Sequence, residues 1–170
     1  MDRLVVVDMQ NDFRPNDTVV KNVLSKIEKY KSKGGYIYFT MDRHYDNAYG
    51  NMLESKMYPR HCIFGTDGFN LIPEIGDSIA LYGTKVKVIY KSGFGSSELV
   101  SRVLWDCGAD DKIEVCGVAT EVCVVSNALM LRSALYNHEI IVDRNAVGAI
   151  NDERGNSALD VMRSCNITVI

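Results

Sequence analysis

Lys112-Ile-Glu-Val-Cys116-Gly-Val-Ala-Thr-Glu-Val-Cys123-Val-Val-Ser-Asn-Ala-Leu-Met-Leu131 joins two kinds of periodicity. The apolar run Ile113–Val118 reads as a buried strand, and from Glu121 onward apolar positions recur at helical spacing. Thr120 is the expected N-cap. Cys123 then falls in the first helical turn, near unpaired backbone N–H groups and the positive end of the helix dipole. That setting predicts a depressed thiol pKa and a nucleophilic thiolate. A cysteine alone is more often a small buried hydrophobe, so the weight rests on which polar residues accompany it.

Working outward, strands and helices alternate along the chain. Strands are expected at Leu4–Asp8, Tyr36–Thr40, Val86–Tyr90, Ile113–Cys116, Glu139–Val142 and Ile167–Ile170. Helices are expected at Val19–Lys33, Ser96–Cys107, Glu121–Tyr136 and Asp152–Ser164. Between Asp42 and about Gly76 the chain is polar and irregular, a loop length usually kept for function. Alternation of this kind predicts a parallel sheet with helices on both faces, its ligands beyond the carboxyl ends of the strands. Asp8 follows the first strand, Asp42 and His44 the second, Lys91 the third and Cys123 the fourth. An acid, a ligand pair, a base and a thiol therefore share one rim.

The rim suggests acyl transfer. Asp8 would take the thiol proton, with Lys91 holding it ionised, and backbone N–H groups near Val118-Ala119 and at Cys123 would form an oxyanion hole. His138 precedes the fifth strand and belongs to the opposite rim, which disfavours a Cys–His pair. Asp42, His44, Glu54 and His61 are donors suited to Zn²⁺, Mn²⁺ or Fe²⁺.

Composition narrows the alternatives. At 170 residues the chain is expected to be a single domain, 1–170, able to bury a full core. Its net charge of −3 with interspersed signs predicts no nucleic-acid partner. Its five cysteines have no paired metal spacing and no signal peptide precedes them, which points to the reducing cytoplasm. No apolar stretch approaches ~18 residues, so no membrane association is expected.

Val5-Val-Val-Asp8-Met-Gln10-Asn-Asp12-Phe13, the Lys91 segment, Pro59-Arg-His61-Cys-Ile-Phe-Gly-Thr66 and Gly117-Val-Ala-Thr-Glu-Val-Cys123-Val together resemble the isochorismatase-like cysteine hydrolases. The pattern is nearest to nicotinamidases and related amidases. The resemblance implies a three-layer α/β/α sandwich whose six-stranded parallel sheet has the order 3-2-1-4-5-6. It implies an Asp8–Lys91–Cys123 triad, a cis peptide between Val118 and Ala119, and an oxyanion hole from the Ala119 and Cys123 amides. A divalent metal, zinc first and iron or manganese next, falls on Asp42, His44 and His61, with Glu54 in a known variant position. Phe13 and Tyr58 fall where such enzymes wall the substrate ring. The implied reaction takes a small amide, nicotinamide foremost, to its acid and ammonia in NAD salvage, in a homo-oligomer. A related amidase or carbamoyl hydrolase and a non-catalytic redox or scaffold protein are the alternatives. Two segments depart from the family pattern: Ser92-Gly-Phe-Gly-Ser96 and Asp143-Arg-Asn-Ala-Val-Gly-Ala149. No histidine follows His44 within Asp46-Asn-Ala-Tyr-Gly50.

Overall fold

A computed structural model describes residues 2–170. Its sheet contains β1 (Arg3–Val7), β2 (Tyr36–Asp42), β3 (Val86–Lys91), β4 (Ile113–Val118), β5 (Ile140–Gly148) and β6 (Thr168–Val169). All neighbours run parallel, in the order β3-β2-β1-β4-β5-β6, as the resemblance implied. Strand order reverses between β1 and β4, and a crevice opens there beyond the strands' carboxyl ends.

Each face of the sheet is covered, which explains the continuous apolar runs of its central strands. On one side Leu4, Val6, Ile37, Phe39 and Cys116 pack under helix α1 (Asp17–Ser32), joined by Ile72 and by Ile75 of α3 (Pro73–Ile79). On the other, Val5, Val7, Tyr38, Ile113 and Val115 pack under α4 (Ser97–Asp106), α5 (Val125–Ala134) and α6 (Asp152–Ser164). The two central strands approach closely at Gly117, where φ is 111° and a Cβ would stand 2.1 Å from the Val7 carbonyl oxygen.

Several boundaries differ from expectation. α1 starts at Asp17, because Asn16 accepts from the Val19 amide and caps it. β2 and β3 run through Asp42 and Lys91, so these two residues end strands instead of following them. β5 is much longer than Glu139–Val142: after Val115 pairs with Val142 the register jumps, and Gly117 pairs with Val147. β6 shrinks to two residues. The polar 42–76 stretch holds the short helix α2 (Asp46–Tyr49), 3-10 turns and α3, whose Gly76 and missing side-chain cap hide it from propensity. The helix after β4 opens as a π-helical turn, Thr120–Val124, before α5. Thr120 is not its cap: Ala119 occupies that position, and no side chain caps the turn. Among the described residues no helix is long and apolar enough to cross a membrane.

Candidate active site

Asp8 leaves β1 with φ of 47°, a left-handed conformation that Asp tolerates better than most residues. Its carboxylate is fully buried, turned toward β2 and β3. Thr40, at the same level of β2, donates from Oγ1 to Asp8 Oδ1 at 2.7 Å, and Lys91 Nζ sits 2.7 Å from Asp8 Oδ2. Lys91 also lies 3.5 Å from Cys123 Sγ and 3.5 Å from Asp42 Oδ1. The three residues expected as a triad are therefore together and buried, with Lys91 the hub.

Burial and the Asp42 charge raise the Asp8 pKa, opposed by Lys91 and Thr40. Burial disfavours the Lys91 ammonium, but Asp8, Cys123 and Asp42 outweigh it and hold the lysine charged. Cys123 corrects the sequence reading. Burial pushes its thiol well above the ordinary value, and Asp8, which it also hydrogen-bonds, adds to the shift; Lys91 opposes both. The expected depression from a helix N-terminus is absent because the sulfur is out of water, where desolvation dominates. The direction of this shift favours the protonated thiol, with Asp8 as its hydrogen-bond partner.

The peptide bond between Val118 and Ala119 is cis, as the resemblance implied. The chain then enters the π turn, whose Val122 and Val124 amides donate to the Ala119 carbonyl at 3.1 and 3.0 Å. Of the two residues whose amides are expected as oxyanion donors, Ala119 caps this turn and Cys123 lies within it, and both line the crevice. π turns recur at functional sites because they re-aim one side chain without ending the helix.

Next to the triad stand Asp42, His44, Glu54 and His61, from β2, the loop after it, a 3-10 turn and the segment following Pro59. Asp42 Oδ2 is 3.1 Å from His44 Nε2 and 3.2 Å from His61 Nε2. Glu54 oxygens lie 3.7 and 3.4 Å from the same two nitrogens. A tetrahedral ion with bonds of about 2.1 Å needs donor–donor edges of about 3.4 Å, so the spacing fits a zinc-sized cation. Burial opposes ionisation of Asp42, yet His44, His61 and Lys91 hold it well below the usual carboxylate range. Burial likewise disfavours a His61 cation, but Asp42, Glu54 and the Pro59 carbonyl raise it to about 10.

A cavity of about 380 Å³ lies over both groups. Phe13 and Tyr58, the expected ring walls, line it, as do Val118, Ala119 and Cys123. Phe13 lies with its ring centroid 5.0 Å from that of His61.

Sequence reasoning missed four contributors. Phe94 lines the cavity and stands edge-on to Tyr58, centroids 6.0 Å apart. Thr40 is the Asp8 partner. Gln10, fully buried, accepts from the Asp42 amide at 2.7 Å and donates to the Asp42 and Phe69 carbonyls at 2.9 and 2.8 Å. Asn127, also fully buried, accepts from the Ser96 amide at 3.0 Å and donates to the carbonyls of Cys123, at 2.8 Å, and Phe94, at 3.1 Å. Asn127 had a visible signal: a polar residue four positions after Cys123 on an otherwise apolar helix face.

Residues 3–170 match the family model described as the isochorismatase domain. The nicotinamidase/pyrazinamidase of Mycobacterium tuberculosis is 26% identical over 188 residues, spanning 100% of this chain and 98% of that protein. Among solved structures, the pyrazinamidase/nicotinamidase from Streptococcus mutans UA159 superposes with a TM-score of 0.87 at 24% identity, over 100% of both chains. The pyrazinamidase of Pyrococcus horikoshii in complex with zinc superposes at 0.81 with 29% identity, over 99% of this chain and 98% of that one.

Proposed function

The chain belongs to the isochorismatase domain family, and from that premise we propose that it is a cysteine amidohydrolase that converts nicotinamide to nicotinate and ammonia. Hydrolysis at a C–N bond is common to its nicotinamidase/pyrazinamidase relatives. The observation that carries the finer reading is the contact of one lysine with thiol, carboxylate and metal-type cluster at once. A neutral planar amide reaching from the cluster to the sulfur spans that arrangement.

In this reading Cys123 Sγ attacks the amide carbon while its proton passes to Asp8, so no resting thiolate is needed. The Ala119 and Cys123 amides receive the developing oxyanion. Asp8 then protonates the departing nitrogen, ammonia leaves, and a thioester remains on Cys123. Water, giving one proton to Asp8, attacks the thioester carbon; collapse releases the carboxylic acid, which loses its remaining proton to solvent, while Asp8 returns the first proton to sulfur. Lys91 stays an ammonium throughout and favours the ionised form of Asp8, the form that can accept the thiol proton. Phe13, Tyr58 and Phe94 enclose the flat ring and exclude water from its faces.

Asp42, His44, Glu54 and His61 would hold a divalent ion, zinc first on their mixed nitrogen–oxygen donor set. When bound, the ion supplies positive charge that orients a ring nitrogen and ordered water. The zinc complex of the Pyrococcus horikoshii relative supports this assignment.

Ammonia release from nicotinamide, pyrazinamide and an aliphatic amide, with Cys123→Ala as control, tests the function. Turnover of both ring amides, lost in Cys123→Ala, is expected. An aliphatic amide preferred by more than about tenfold, some 1.4 kcal/mol in barrier, would make this a different amidase on the same triad. Unchanged activity in Cys123→Ala would remove the nucleophile.

A further inference from the structure

Tyr49 ends the short helix α2, in the stretch after His44 that lacks a further histidine, and is 5% exposed. Its ring stands edge-on to both histidines of the cluster, with centroids 5.0 Å from His44 and 5.3 Å from His61. Its hydroxyl lies 2.9 Å from the Pro59 carbonyl oxygen, 3.1 Å from that of Tyr58 and 3.2 Å from His61 Nδ1. His61 Nδ1 is itself 2.6 Å from the Pro59 carbonyl oxygen.

The chemistry of these atoms leaves little choice. A carbonyl oxygen only accepts, so the short contact to Pro59 requires a proton on His61 Nδ1. With Nδ1 carrying the proton, the lone pair of a neutral imidazole lies on Nε2, the atom facing Asp42 and Glu54. The phenol donates its one proton to the Pro59 or Tyr58 carbonyl and presents its oxygen to the Nδ1–H. It thus anchors the turn whose carbonyl selects the tautomer. The same hydroxyl contacts the carbonyl of Tyr58, whose side chain lines the cavity.

We propose that Tyr49 is a positioning residue for the metal centre, its hydroxyl fixing the Pro59 carbonyl so that His61 is held as the Nδ1–H tautomer with Nε2 turned to the ion. The inference rests on the reading of Asp42, His44, Glu54 and His61 as a metal site. Partners of this kind to ligating histidines typically change affinity by about 10- to 100-fold.

Tyr49→Phe keeps the ring and its packing and removes only the hydroxyl. Chelator-stripped wild type and variant are titrated with Zn²⁺ against a chromophoric competitor. A zinc affinity about 10- to 100-fold weaker in the variant is the expected result. A hydroxyl that merely braces the fold would lower the thermal midpoint of the metal-free variant and leave zinc affinity as in wild type, which would overturn the assignment. A wild type that takes up no zinc would overturn the metal reading and this inference with it. Should the variant fail to fold, ¹⁵N-labelled, zinc-loaded wild type still decides. A protonated Nδ1 on His61 is expected, and a protonated Nε2 would refute the proposal.

Discussion

At the scale of single residues, the chemistry depends on what burial does to three neighbouring groups. Because burial and Asp8 raise the Cys123 thiol, its alkylation by iodoacetamide should not plateau near neutrality. We expect the rate in substrate-free enzyme to keep climbing above pH about 8.5, the ordinary thiol value. A plateau at neutral pH would restore the depressed thiolate that the sequence suggests. Asp8 is also raised, so kcat/KM should fall on acidification along a limb above about 3.9, the ordinary Asp value. Asp8→Asn should cost about 10²- to 10⁴-fold in that parameter. A variant retaining full rate would take Asp8 out of proton transfer.

At the scale of elements, the nucleophile and its pocket wall sit on different segments joined by one side chain. Cys123 rides the π turn ahead of α5, and Phe94 lies in the loop between β3 and α4. Asn127 bonds both carbonyls and the Ser96 amide. Asn127→Ala leaves these groups buried without their partner, at about 1–3 kcal/mol apiece before relaxation. At temperatures where the variant is fully folded, we expect KM for a ring amide to rise while Cys123 alkylation is nearly unchanged. Equal losses for ring and aliphatic amides would mean that Asn127 serves the fold and not the wall.

For the molecule as a whole, the rim gathers more carboxylates than lysines: Asp8 and Asp42 flank Lys91, and Glu54 stands beside His44 and His61. A divalent ion would relieve that imbalance and stabilise the native state alone, by about 2.7 kcal/mol at a hundredfold excess over Kd. For a chain of this size that is a rise of roughly 5–10 °C in thermal midpoint. Protons compete for the ligands, so the gain should grow with pH. Metal-free protein shows the opposite trend at His61. Its folded pKa, raised to about 10 against about 6.5 unfolded, gives stability fully present below pH 6.5 and lost as pH rises through 10. Midpoints at pH 6 and pH 9, with zinc and with chelator, test both signs. A zinc-induced shift larger at pH 6 than at pH 9 would contradict the assignment.

Periodicity and chain order determined the layered parallel architecture, because buried strands read as apolar runs and crossover helices as amphipathic ones. They also determined that Asp8, Lys91 and Cys123 share a rim, since each stands at the carboxyl end of a strand. The strand order 3-2-1-4-5-6, the cis peptide and the clustering of Glu54 with His61 were legible through family resemblance rather than through local pattern. What only the tertiary structure decided depends on neighbours distant in sequence. The long β5 exists because its register jumps beside Gly117, and α3 exists because Ile75 has a place beneath α1. Gln10, Thr40 and Asn127 look like ordinary polar residues until folding brings a carboxylate, an amide or a carbonyl within reach. The thiol shift changed sign for the same reason: a helix N-terminus can be read from sequence, but the exclusion of water from Cys123 arises only when the sheet, the π turn and the Asp8–Lys91 pair close around it.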